Sequence, residues 1–240
     1  MAKPLLNIIM PVFNEAENFP NVYKAVNEKI KTPHRVHVVY DFDEDTTVPV
    51  AKKISAKDKN LVLIKNTIGR GPLNAIKTGF DSIKSGPVLV VMADLSDDLT
   101  IVDKMYEEYL AGAQVVCGSR YMKGGKQIGG PLLKRILSRI AGTSLYYIRR
   151  VPTHDATNNY RLYDKRLLDK ITIESNGGFE VAMEITVKAF ILGARIVEIP
   201  TVWRDREAGK SNFKLWKWLP SYLRWYFYAL QPKRSGTKSS

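Results

Sequence analysis

Five short apolar runs punctuate the first half of the chain: Leu6–Met10, Val36–Tyr40, Leu61–Lys65, Val88–Met92 and Gln114–Cys117. Between them lie Glu17–Lys31, Thr47–Lys57, Pro72–Lys84 and Ile101–Leu110, where apolar residues recur at helical spacing. The runs are continuous rather than alternating, which predicts strands buried on both faces, each followed by a covering helix. Right-handed crossovers then give a parallel sheet that binds ligands at the carboxyl ends of its strands. The first half therefore reads as a nucleotide-binding α/β layer, Rossmann-like and mostly parallel.

The pattern changes after Arg120. Gly124, Gly125, Gly129, Gly130 and Pro131 predict a mobile loop. A basic helix is expected over Leu132–Arg149, then a short strand near Asn159–Tyr163, a helix Phe179–Leu192 stopped by Gly193, and a strand Arg195–Trp203. The segment Phe213–Leu230 is dense in aromatics, and Pro220 is expected to kink or split any helix there. The pattern divides the chain into 1–118, 119–212, an aromatic amphipathic segment 213–230, and a basic tail 231–240 expected to be disordered.

Composition narrows the class. The chain has 240 residues, 45% of them hydrophobic, with a formal net charge of +13. That apolar content excludes disorder as the main state, and the charge calls for an anionic partner. Cys117 is the single cysteine, so neither a disulfide within the chain nor a cysteine zinc site is expected. His34, His37 and His154 lack metal-ligand spacing. No apolar run reaches the roughly 20 residues that cross a bilayer, and the amino terminus lacks the features of a secretion signal.

Acidic residues collect where strands end: Glu15 after the first, Asp41, Asp43, Glu44 and Asp45 after the second, Asp94, Asp97 and Asp98 after the fourth. Carboxylates crowded into one crevice repel unless a cation or hydrogen-bond donors separate them. Hard oxygen ligands suit Mg2+ or Mn2+ bridging substrate phosphates. The bland reading, a turn rich in Asp, stays open for Asp43–Asp45.

At these residues the chain resembles the inverting family 2 glycosyltransferases of GT-A fold. Pro11-Val12-Phe13-Asn14-Glu15 resembles their opening motif and Val38–Thr47 their second acidic motif. Ala93-Asp94-Leu95-Ser96 resembles the end of their Asp-x-Asp metal motif. Gly118-Ser119-Arg120-Tyr121, Asp155–Arg161, Gly178-Phe179 with Glu184, and Asp205–Ser211 are similar to the branch containing the dolichol-phosphate (polyprenyl-phosphate) mannose synthases. Tyr40, Met92 and Asn212 depart from the pattern. Met92 replaces the first Asp of the metal motif, leaving Asp94 to hold a cation with Ser96 and with diphosphate and water oxygens.

The resemblance implies a nucleotide-sugar donor, GDP-mannose favoured, held by Pro11, Phe13, Glu15, Asp41, Asp43, Ala93, Asp94 and Arg206. It implies a polyprenyl or dolichyl phosphate acceptor held by Arg120, Lys134, Arg135 and Ser138. Asp94, Arg206, Asp155 and Glu184 would be catalytic, although Asp155 and Glu184 also suit plain ion pairing with Arg161 and Lys188. The expected enzyme sits at the cytoplasmic face of a membrane, through its surface helices, its charge or an anchoring subunit, and a homo-oligomer is the other partner expected. The rivals are a UDP-glucose or UDP-N-acetylglucosamine donor with the same chemistry, and a non-catalytic basic protein binding membrane or nucleic acid. The acidic strand ends argue against a nucleic-acid partner.

Overall fold

The computed structural model describes residues 3–205 and 215–231, the side chains of 215–217 excepted. Arg206, Asn212 and the rest of the Asp205–Ser211 motif beyond its first residue lie outside the described residues, as does the tail after Gln231.

The first half follows its hydrophobic pattern closely. Strands β1 (Leu6–Pro11), β2 (His34–Tyr40), β3 (Leu61–Lys65) and β4 (Pro87–Val90) alternate with helices α1 (Phe19–Lys29), α2 (Thr47–Ser55) and α3 (Pro72–Ser82). Helix α4 (Val102–Leu110) then leads into β5 (Val115–Ser119). Successive residues of one strand enter opposite cores. Ile8, Met10, Val36 and Val38 pack with Phe19, Val22 and Met105 on one face, while Ile9, Val39 and Val88 pack with Ile76 and Phe80 on the other. Burial on both faces is why these runs do not alternate, and each such side chain contributes about 1.5–3 kcal/mol of burial.

The second half extends the same sheet. After β6 (Lys126–Ile128) and α5 (Leu132–Arg149) come β7 (Arg161–Asp164), α6 (Lys165–Leu168), α7 (Val181–Ile191), β8 (Ile196–Pro200), β9 (Val202–Arg204) and α8 (Leu215–Leu230). The sheet order is β3-β2-β1-β4-β7-β5-β8. Strand β7 runs antiparallel to both its neighbours, with Val90 and Cys117 flanking Arg161. All other pairs in this sheet are parallel. The division drawn at residue 118 falls inside β5, and residues from both sides of it share one sheet.

Three expectations are corrected. The glycine-rich loop contains β6, which pairs in parallel with β9. The single strand expected over Arg195–Trp203 is two, divided at Thr201, whose backbone bonds instead to Ser119 and Lys126. Helix α8 is not split at Pro220; its buried Trp225 and Ala229 pack with Leu145 of α5 and Met183 of α7. Proline removes one helical hydrogen bond, and this packing holds the helix despite that loss. No helix among the described residues is long and apolar enough to cross a membrane.

Candidate active site

The carboxyl ends of β1, β2, β4 and β5 open into a cavity of about 800 Å³, roofed on the far side by α5, β9 and α8. Its donor wall contains Pro11, Phe13, Glu15, Asp41, Ala93 and Asp94. Asp41 accepts hydrogen bonds from Asn66 Nδ2 (2.7 Å) and Gly71 N (2.8 Å), pinning the loop that starts α3. Asp43 does not line the cavity; it turns outward and pairs with Lys65 on the exposed surface. Asp45 is fully buried rather than solvated. It accepts from the backbone N–H of Asn14 and of Thr47, and Thr47 Oγ1 in turn accepts from Glu15 N. This latch holds the Asn14 backbone at φ +55° and aims Glu15 at the cavity.

At the end of β4, Asp94 Oδ1 accepts from Ser96 N (3.1 Å) across Leu95, whose φ of +59° is strained for a leucine. Both Asp94 and Ser96 line the cavity, and so does Asp97. Asp97 Oδ2 accepts from Met92 N at 3.2 Å. Burial, with the nearby Asp94 charge, pushes the Asp97 carboxyl up to about 7. Among the described residues no group of three His, Cys, Asp or Glu side chains forms a metal cage. Two neighbouring carboxylates beside a hydroxyl nevertheless suit a hard divalent cation that completes its shell with ligand oxygens.

The opposite wall carries the cationic side chains of Arg120 and Lys134. Arg120 grips Asp155 with Nε on Oδ2 (2.7 Å) and Nη2 on Oδ1 (2.9 Å), while Nη2 also reaches Ser138 Oγ (3.2 Å) and Thr157 Oγ1 (3.1 Å). Burial alone would raise the Asp155 carboxyl, but the Arg120 guanidinium holds it below its ordinary value. Arg120, Lys134, Ser138 and Thr157 all line the cavity.

Besides Asp43, three expected site residues stand elsewhere. Asp155 lies behind Arg120, so it orients the guanidinium rather than facing the cavity. Glu184 is fully buried off the cavity; its carboxylate accepts from Glu174 N, Ser175 N and Lys188 Nζ, stapling the loop before α7. Arg135 is on α5 but outside the cavity lining. Arg161 makes no ion pair with Asp155: fully buried, it donates to the Asp155 and Ala182 carbonyls and to Thr186.

The sequence reading has Asp97 only as one of the strand-end acids, and it singles out neither Thr157, which lines the cavity, nor Phe42 and Arg70 behind it. Phe13 meets Phe42 edge-on at 5.8 Å, and Arg70 lies 4.9 Å over the Phe42 ring, so a cation–π pair backs Phe13, the one of the three that lines the cavity. Aromatic residues two or three positions past a strand end were the available signal.

This combination of sheet order and strand-end carboxylates is that of a GT-A glycosyltransferase. The glucosyl-3-phosphoglycerate synthase of Mycobacterium tuberculosis, solved with Mn2+, UDP and glucosyl-3-phosphoglycerate, superposes with a TM-score of 0.66 at 15% identity, over 94% of this chain and 78% of that one. S. aureus TarS 1-349, solved with UDP-GlcNAc, gives 0.67 at 17% identity over 97% and 68%. The glycosyl transferase family 2 model matches residues 7–172, and the chain belongs to that family. The polyprenol monophosphomannose synthase of Mycolicibacterium smegmatis is 31% identical over 211 residues, 85% of this chain and 79% of the relative. The undecaprenyl-phosphate mannosyltransferase of Micrococcus luteus is also 31% identical, with 85% of each chain covered. The dolichol-phosphate mannosyltransferase of Pyrococcus furiosus is 28% identical over 91% of this chain and 62% of its own length.

Proposed function

We propose that this glycosyltransferase moves a hexose, mannose from GDP-mannose favoured, onto a polyprenyl phosphate with inversion at the anomeric carbon. The observation that carries the reading is one cavity with two unlike walls: strand-end carboxylates on one side, Arg120 with Lys134 and Ser138 on the other. The names of the relatives agree with it.

The donor would lie with its base near Phe13 and Asp41 and its diphosphate toward Asp94. A divalent ion, Mg2+ or Mn2+, would be held by Asp94 and Ser96 with Asp97 adjacent; when bound it supplies positive charge for the leaving diphosphate. Arg206 would assist that charge. An acceptor phosphate, with a second pKa near 6, is already mostly dianionic at neutral pH and needs no strong general base. Arg120 and Lys134 orient it for in-line attack, and Asp155 keeps the Arg120 fork in place. A single displacement of this kind inverts the anomeric centre.

Lipid access has its own support. Leu132, Leu133, Ile136 and Ile140 of α5 and Leu223 and Phe227 of α8 are exposed, while Arg135 and Arg139 share α5. Apolar residues flanked by arginines suit contact with an anionic bilayer surface, here the cytoplasmic leaflet, with or without an anchoring subunit.

The decisive assay is transfer of labelled sugar into organic-extractable polyprenyl phosphate from GDP-mannose, UDP-glucose or UDP-N-acetylglucosamine, each with Mn2+, Mg2+ or chelator. Metal-dependent label from GDP-mannose is expected, and Asp94→Ala is expected to lower it at least about 100-fold while leaving thermal unfolding unchanged. Near-normal turnover in that variant overturns the role of Asp94; label from a UDP-sugar alone overturns the donor.

A further inference from the structure

Helix α8 brings Tyr222 to the cavity lining beside Trp218, on the side formed by Ser138 and Arg120. Its ring packs on the cluster of Leu145, Met183 and Trp225, so its position is set by the helix interface. Neighbouring tyrosine hydroxyls are all engaged: Tyr121 with Gln127 and Ser138, Tyr160 with the Asp98 carbonyl, Tyr226 with Ser144. Among the described residues the Tyr222 hydroxyl has no hydrogen-bond partner, and a half-buried phenol at a cavity wall usually finds one.

The charged groups around it are Arg120, Arg161, Asp155 and Glu180. Asp155 is taken by Arg120, and Glu180 accepts from Gly177 N and Gly178 N. Neither carboxylate is bonded to the phenol. Burial, together with Glu180, pushes the phenol far above its ordinary range. It therefore stays a neutral O–H donor that never repels an anion.

We propose that Tyr222 donates a hydrogen bond to the phosphate of the acceptor, completing from the tail helix the grip formed by Arg120, Lys134 and Ser138. This rests on the acceptor reading above, and it makes α8 part of the binding site as well as a candidate membrane surface. A second hydroxyl, besides that of Ser138, adds directional hold to the charge that Arg120 and Lys134 supply.

The test compares the full-length protein with Tyr222→Phe, which keeps the ring and its packing. Tryptophan fluorescence would report binding of a short-chain prenyl monophosphate, of the matching prenyl alcohol, and of GDP. The variant is expected to bind the monophosphate roughly 10-fold or more weakly, as loss of a hydrogen bond to a charged group implies. Binding of the alcohol and of GDP is expected to be unchanged, with the acceptor KM rising and the donor KM constant. Unchanged monophosphate binding overturns the proposal, as does equal weakening for the alcohol, which would assign the effect to ring packing. Weakened GDP binding instead places the hydroxyl on the donor side and also overturns it. A wild-type protein that binds GDP but no prenyl monophosphate overturns the acceptor reading and this inference together; binding that survives in Tyr222→Phe removes this inference alone.

Discussion

His37 shows how much a single buried ring can tie stability to pH. Its Nε2 lies 3.1 Å from Asn7 Oδ1. Asn7 Nδ2 faces backbone carbonyls, so Oδ1 is the acceptor and Nε2 carries the proton. Its Nδ1 is buried without a partner. Burial, with Arg35 nearby, lowers the imidazole to about 4 from an ordinary 6.5. The unfolded chain therefore binds the extra proton first, and stability declines as pH falls from about 6.5 to 4. His37→Gln is expected to remove about 3 kcal/mol of that decline, read from urea unfolding at pH 7 and pH 4; an unchanged pH slope would refute the assignment. The same residue scale separates what was legible in the site from what was not. Glu15, Asp41 and Asp94 could be placed because each lies within four residues of the end of an apolar strand, and strand ends meet at the crevice. Asp155 and Glu184 could not, because a carboxylate's letter does not say whether it faces a cavity or an arginine, a lysine and backbone amides behind it.

Among the elements, α5 depends on one missing side chain. A Cβ at Gly142 would stand 2.2 Å from the His154 carbonyl oxygen, in the loop that carries Asp155 and Thr157. Alanine is favoured over glycine within a helix by about 1 kcal/mol, but overpacking of this kind costs typically 1–3 kcal/mol or more. Gly142→Ala is expected to lower Tm and to raise the acceptor KM more than the donor KM, because the displaced loop holds the Arg120 fork. Equal effects on both would show α5 to be scaffold only. Glycine also marks where the elements were hard to read. Five glycines and prolines between residues 124 and 131 signalled a loop, yet Lys126–Ile128 forms a strand because β9 offers it a partner 76 residues away along the chain, at Val202 opposite Lys126. Local pattern carries no trace of such pairing, whereas the buried strands of the first half announce themselves within a few residues of their true ends.

Across the whole molecule, α5 and α8 together carry the largest group of exposed apolar residues among those described. If this face meets a bilayer, the paired change Leu133→Ser with Ile136→Ser, at exposed positions outside the cavity lining, is expected to cut binding to anionic phospholipid vesicles several-fold in a flotation assay. Transfer to a detergent-dispersed short-chain acceptor should hold, and vesicle binding equal to wild type would refute the assignment. The position of β7 has a different consequence, one for biosynthesis. Because Arg161–Asp164 fills the gap between β4 and β5, a nascent chain that has delivered only its first five strands leaves β5 unjoined to β4 and presents open strand edges to its neighbours. The sheet becomes continuous only after the chain has turned back on itself, so residues past Asp164 must have left the ribosome before all the strands that frame the crevice are joined.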